Sequence, residues 1–496
     1  MSSSRTSKVM ALSLGQALTA VAGLVSGMVM SRVLSKTDLA TYRQTLLAYQ
    51  VAIPLLSLGI PSAIYYFLPT EKERVRGVVV DALVLLMLTG LLYALFIALG
   101  GHHLLARRFS NPAIVSTLAY LVPLPLVMLP ASLVSSVLVV QNRVRQLTVY
   151  NVLSNLMLAS GIIFACAWWK TPEAMVLTKV GISLLSGLVA IHLMHRAVPE
   201  DGWTPQWAGM KRMVTYSIPL VAASAMGSIS LQLDKLIVSS MCSPEDFAVY
   251  SNGAIQIPLV GILTGSIAAV ILPDLRRLAA ANDAAGALAL FRTSAAKSAA
   301  VLIPVMMFLL ASAEPFILTL FSEKYAGSVL PFRLYLLILP MRIVFFGTFL
   351  MAFGWTRTIL HRSAAGLAAN ALLSILLVRW MGFIGAIVAT MFSLYLVEGV
   401  WNYAAISRIA RCRWRDVIPF RTVIQLAGIS AAAALPVLGL ALAGPPMPSV
   451  ARLGLNAGLF GAFLMGLAWW FEIDVLKVEA KRWWAKGWGW LRPGAE

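Results

Sequence analysis

Ionisable side chains inside long apolar runs are where this chain invites chemistry. A charge in hydrocarbon costs several kcal/mol unless it is paired, hydrated or bound to something. Arg342 lies midway along the run 329–355, about 20 Å of helix from either end, too deep to stretch to water. It must face protein or a wet cavity. A guanidinium there offers a planar fork of donors to an anion, or pairs with an acid on a neighbouring helix. Asp234 and Lys235 sit near the outer end of the run 213–241. Being adjacent, they point about 100° apart and do not pair only with each other. Lys235 suits an anionic group and Asp234 a coupling cation or proton; both could equally hold helices together. Glu398, in the inner third of the run 383–406, is a candidate proton or Na+ site, with Tyr395, Trp401 and Asn402 close enough to satisfy it instead. Arg43, Lys179 and Arg333 lie within a turn or two of the outer surface, where they snorkel or line an electropositive mouth. Gln16, Gln44, Gln50, Gln232 and Gln256 offer amides to a hydroxyl-rich solute if their helices line a cleft, or act as interhelical glue.

Other candidates read as bland. Asp81 lies near the inner surface, five residues beyond Arg76. His192 and His195 lack a carboxylate partner, and Cys166, Cys242 and Cys412 are far apart, so neither set implies a metal site or a disulfide framework.

The elements that must position these residues follow from composition. Of 496 residues, 59% are hydrophobic and 12% charged, about half the ~25% charge usual in soluble domains. A soluble enzyme and a single-anchor protein are both excluded. Fourteen runs are long enough to span: 9–34, 44–68, 77–99, 113–140, 148–169, 174–194, 213–241, 247–273, 298–321, 329–355, 363–380, 383–406, 422–443 and 450–471. The net charge of +19 does not signal nucleic acid, because the cations fall in short gaps between these runs. With an inner N terminus, 26 of the 39 Lys and Arg fall in inner segments and 9 in outer ones, which places both termini in the cytoplasm. Trp168, Trp169, Trp355, Trp380, Trp469 and Trp470 mark run ends. The tail 472–496, basic and Trp-rich, suits an amphipathic helix lying on the inner membrane surface.

A repeat is visible. Ser35 to Tyr42 and Ser243 to Tyr250 share the pattern S-x-x-D-φ-A-x-Y at an offset of 208, and Pro54 and Pro69 match Pro258 and Pro273 at an offset of 204. The motif reads as a helix start, with the Ser capping and the Asp in the first turn. An offset of six runs keeps the copies in one orientation, so the expected fold is all-α: two parallel six-helix repeats plus two extra C-terminal helices. The expected divisions are a lobe over 1–194, a cytoplasmic linker over 195–212, a second lobe over 213–406, two further spans within 407–471, and the tail.

The twin repeats, Asp234-Lys235, the Ser243–Tyr250 helix start and the segment from Gly382 through Gly385 to Thr390 together resemble the MOP exporter superfamily. Fourteen spans with short loops are most similar to its Wzx-type flippases of bacterial polysaccharide assembly. The resemblance implies two lobes around a central cavity. It implies a transporter, not an enzyme, in the bacterial inner membrane, moving undecaprenyl-pyrophosphate-linked oligosaccharide units outward by alternating access. The driving force would be an H+ or Na+ gradient, with no cofactor; no phosphate-loop motif is present. In that setting Arg342, Lys235, Arg333, Arg43 and Lys179 would form a cationic substrate cavity and the five glutamines its polar lining. Asp234 and Glu398 would couple the ion. Membrane lipids surround such a protein, and a polysaccharide polymerase and a chain-length regulator are expected partners. A multidrug exporter of the same superfamily would carry a buried acid in its first span, where Val9–Leu34 has none. A lipid II flippase would carry arginines in its first two spans near the cleft, while Val9–Ser31 is uncharged. A polytopic enzyme on lipid-linked sugars would need a sizeable outer loop, and the longest outer gap is about Gly100 to Pro112.

Overall fold

The computed structural model describes residues 2–199 and 204–471, and among them every regular element is a helix. The tail 472–496 and its expected surface helix lie outside the described residues. Among the described residues ten helices are long and apolar enough to cross a membrane, or twelve if two bent pairs each count as one span. Helices also occupy the other two expected runs. The first contributes the apolar helix Leu18–Val33. The run 213–241 is instead divided at Leu231 and Gln232 into Trp207–Ser230 and Leu233–Met241.

The two bent pairs break where the sequence removes backbone donors. The pair Ile114–Tyr120 and Leu124–Val140 bends by 52° across Pro123 and Pro125. Glu323–Leu336 and Leu339–Ala352 bend by 45°, and Pro340, which cannot donate to the Leu336 carbonyl four residues back, explains where the first helix stops. Gly59 takes φ 64° in the turn between Lys36–Leu56 and Ile60–Thr70, a left-handed conformation that glycine adopts without strain.

The expected repeat starts are Ser N-caps, each also bonded through its hydroxyl to the Asp three residues on. The Asp38 amide donates to Ser35 Oγ at 3.0 Å, and that hydroxyl donates to Asp38 Oδ2 at 2.6 Å. Ser243 and Asp246 repeat both bonds, at 3.1 and 2.8 Å. One device thus starts the helix in both copies. Gly382 and Gly385 also prove architectural. Gly382 takes φ 58° in the turn after Thr356–Met381, and a Cβ at Gly385 would strike the Leu377 carbonyl.

The described residues form two compact units, 1–251 with 370–386, and 252–369 with 387–496. The core of the first joins Ile64, Val78, Leu86, Leu133 and Val137. The second has one cluster around Phe291, Phe349 and Ile406, and another in which Ala433, Val437 and Phe460 tie the last two helices to Ala311. Outside these cores the surface is strongly apolar. Trp168, Trp380, Trp469 and Trp470 are exposed at helix ends, where amphipathic rings meet a membrane interface.

Candidate functional site

In the first unit, the broken seventh run puts Asp234 in the first turn of Leu233–Met241, next to unclosed helical amides. Asp234 is buried; it accepts from the Tyr250 hydroxyl at 2.6 Å and from the Lys235 amide at 2.9 Å. Tyr250, fully buried, closes the second S-x-x-D-φ-A-x-Y motif, and its counterpart Tyr42 is buried as well. The repeat contained this partner of Asp234, but spacing alone did not connect them. Lys235 is half-buried, attracted by Asp234 and repelled by Arg43, so the two cations lie within electrostatic reach.

Gln44 is fully enclosed. Its Nε2 donates to Ser239 Oγ at 3.0 Å and its Oε1 accepts from Asn111 Nδ2 at 2.6 Å, while Asn111 also donates to Thr41 Oγ1 at 3.0 Å. Of the two readings of this amide, glue is the one its bonds describe. Gln50 and Gln256 are exposed and Lys179 is half-buried. Gln232 sits at the helix break, with Oε1 buried and unbonded among the described residues. The Gln16 side chain lies outside the description.

Asp81 anchors a separate cluster. It is inaccessible to solvent and accepts from Arg74 Nη1 and Nη2 at 2.8 and 3.1 Å and from the Gln206 amide at 2.7 Å. Arg74 Nη2 also donates to the Thr204 carbonyl at 3.0 Å, and Arg212 pairs with Glu71 at 3.0 Å. The segment of Thr204 and Gln206 is thereby stapled to Arg74 and to Asp81 in Val75–Phe96. The partner is Arg74, not the nearby Arg76.

In the second unit, Arg342 ends the four-residue helix Leu339–Arg342, just past the Pro340 bend, and is exposed. Arg333 is exposed in the last turn of Val329–Leu336. Glu398 lies in a π-helical stretch, Ser393–Gly399, an irregularity enriched at functional positions. Arg362 Nε approaches Glu398 Oε2 at 3.6 Å, and Arg362 Nη1 donates to Asn402 Oδ1 at 3.0 Å. Arg342 also acts on the Glu398 carboxylate, more weakly than Arg362. Tyr395 donates to the Leu337 carbonyl at 2.6 Å, and Asn402 serves Arg362, so neither supplies the bond to Glu398 expected from sequence. Arg362 was not among the residues singled out from sequence, because a pairing across 36 residues leaves no local signal.

Broken helices, charges beside the breaks and many long apolar helices describe a multi-pass membrane protein. The fold matches the lipid II flippase MurJ in its inward closed conformation with a TM-score of 0.76 at 13% identity, covering 94% of this chain and 99% of that one. It also matches an inward-facing multidrug resistance MATE family transporter of the MOP superfamily at 0.61 and 16% identity, covering 79% and 96%. A MOP superfamily transporter from Pyrococcus furiosus, described as having a binding pocket of reversed polarity, matches at 0.56 and 14% identity, covering 81% and 94%. No curated protein matches the sequence. The family model for polysaccharide biosynthesis proteins matches residues 6–279, and the chain belongs to that family, with the MOP superfamily fold.

Proposed function

We propose that this protein is a flippase that carries undecaprenyl-pyrophosphate-linked oligosaccharide units across the bacterial inner membrane for surface polysaccharide synthesis. The family match over 6–279 carries this reading. Coverage of the fold supports it: 94% of the chain follows the lipid II flippase, against 79% for the multidrug transporter. Fourteen spans, two parallel repeats over 9–194 and 213–406, and cytoplasmic termini are part of the proposal. So are alternating access and coupling to an H+ or Na+ gradient.

Arg342 is the residue assigned to the diphosphate. It sits beside a proline break, exposed, and forms no ion pair within 4.0 Å among the described residues. Lys235 and Arg43 form a second cationic locus, with Arg333 and Lys179 as outlying cations, and Gln50, Gln232 and Gln256 remain available to sugar hydroxyls. Gln44 is left out because its amide is already bonded at both ends. Asp234 and Glu398 are the proposed ion-coupling carboxylates.

The test is appearance of lipid-linked sugar on the outer face of proteoliposomes. Arg342→Ala is expected to abolish it with insertion and melting temperature unchanged. Arg342→Lys is expected to transport poorly, because an ammonium cannot reproduce the bidentate fork. Full translocation by a well-folded Arg342→Ala protein would remove Arg342 from the mechanism. Wild-type protein that moves lipid II but no diphosphate-linked oligosaccharide would replace the substrate assignment.

A further inference from the structure

A cavity of about 760 Å³ opens where the start of Thr356–Met381 meets the helical stretch leading into Val400–Ala410. Arg357, His361 and Arg408 line it, all three exposed. Among the described residues none of these three side chains makes a hydrogen bond or ion pair, and the lining contains no acid. That separates these cations from the paired arginines. Arg74, Arg212 and Arg362 are each answered by a carboxylate. The first turn of Thr356–Met381 also carries no acid, so its free amides add positive potential beside Arg357.

The rest of the lining is graded along one helix face. Leu396, Val400, Ala404 and Arg408 follow at four-residue intervals, with Leu396 53% and Val400 42% exposed. This ladder rises about 18 Å from the cation to the outermost leucine. Trp401, 38% exposed, falls between Val400 and Arg408 along that helix, and Trp355, 37% exposed, precedes Arg357 at the charged end. Charge, indole and aliphatic groups in that order match the head group, glycerol region and acyl chain of a membrane lipid. Arg357 and Arg408 also belong to segments that the charge distribution places on the inner side.

We propose that this cavity seats an anionic phospholipid of the inner leaflet. Arg357 and Arg408 hold the phosphate with His361 as a further donor, and an acyl chain lies along Leu396 and Val400. The site is distinct from that for the transported substrate. Thr358 is the single hydroxyl in its lining, and no amide or carboxylate is present to read sugar hydroxyls. Basic pockets between helices at the cytoplasmic face are the setting in which lipid phosphates bind.

The test uses the full-length protein in detergent, titrated with phosphatidylglycerol or phosphatidylcholine and read by native mass spectrometry. Wild type is expected to prefer phosphatidylglycerol, and the Arg357→Gln/Arg408→Gln double variant to lose roughly tenfold to thirtyfold of that affinity. Phosphatidylcholine binding should not change. Arg277→Gln, which removes an exposed arginine outside the cavity, should keep the preference. The single variants Arg357→Gln and Arg408→Gln, each predicted to lose part of the affinity, serve if the double variant unfolds. A preference that survives in folded cavity variants overturns the proposal, as does equal binding of both lipids by wild type. If polyprenyl diphosphate displaces phosphatidylglycerol and the same variants lose both, the cavity belongs to the substrate and the proposal also fails.

Discussion

Asp81 and Glu398 are both carboxylates enclosed by helices and paired with an arginine, yet they are held in opposite ways. Asp81 receives three hydrogen bonds, two from one guanidinium and one from a backbone amide, and is shut from solvent. Glu398 has one ion contact at 3.6 Å, keeps 20% of its side chain accessible, and feels a second arginine beyond the first. Asp234 falls between them, buried and bonded to one phenol and one amide. A saturated carboxylate gains nothing by moving, so Asp81 fastens the linker. An under-bonded one can exchange partners, and that is the physical requirement for a coupling site.

The first way to break this ordering is at Asp81. Asp81→Asn leaves Arg74 uncompensated beside Thr204 and Gln206, and is expected to cost about 3–5 kcal/mol, read as lost expression or a large fall in melting temperature. A protein of unchanged stability would mean the staple is idle. Tyr250→Phe removes one bond to a buried carboxylate, and about 1–3 kcal/mol is expected in the same measurement. Glu398→Gln should change stability least, because its one ion contact, at 3.6 Å, is longer than any bond to Asp81 or Asp234. It should instead abolish the dependence of transport on the driving ion gradient. A Glu398→Gln protein that melts far below wild type, or that stays fully gradient-driven, would make Glu398 another staple.

Much of this ordering was hidden in the chain. The caps at Ser35 and Ser243 were legible because a cap is a contact across three residues, and a proline is likewise a local cause, as at the bends beside Pro123 and Pro340. Position within apolar runs was enough to nominate Asp234, Arg342 and Glu398. Partners were not legible. Arg74 and Asp81 are seven residues apart, and the choice of Arg74 over the closer Arg76 depends on how the linker returns through Thr204 and Gln206. Arg362 and Glu398 meet only after the intervening helices reverse direction. Gln44 differs from Gln50 by which face of one helix packs inward, and apolar neighbours on all sides erase that distinction from the sequence. The expected count of spans was blurred for a related reason: a run of apolar residues does not reveal that it breaks at Leu231.

A bilayer is also an electrical insulator, and a broken turn inside it is a weak point in the insulation. The Pro340 bend leaves backbone carbonyls near Leu337 without helical partners, and bare carbonyls draw in water. The Tyr395 phenol, from the same π-helical stretch as Glu398, occupies the Leu337 carbonyl. It supplies the hydrogen that a water molecule would otherwise bring. Tyr395→Phe should therefore raise the passive proton leak of proteoliposomes in the absence of substrate, a current visible with a pH-sensitive dye. An unchanged leak would mean that the bond to the Leu337 carbonyl does not hold water out of the bend.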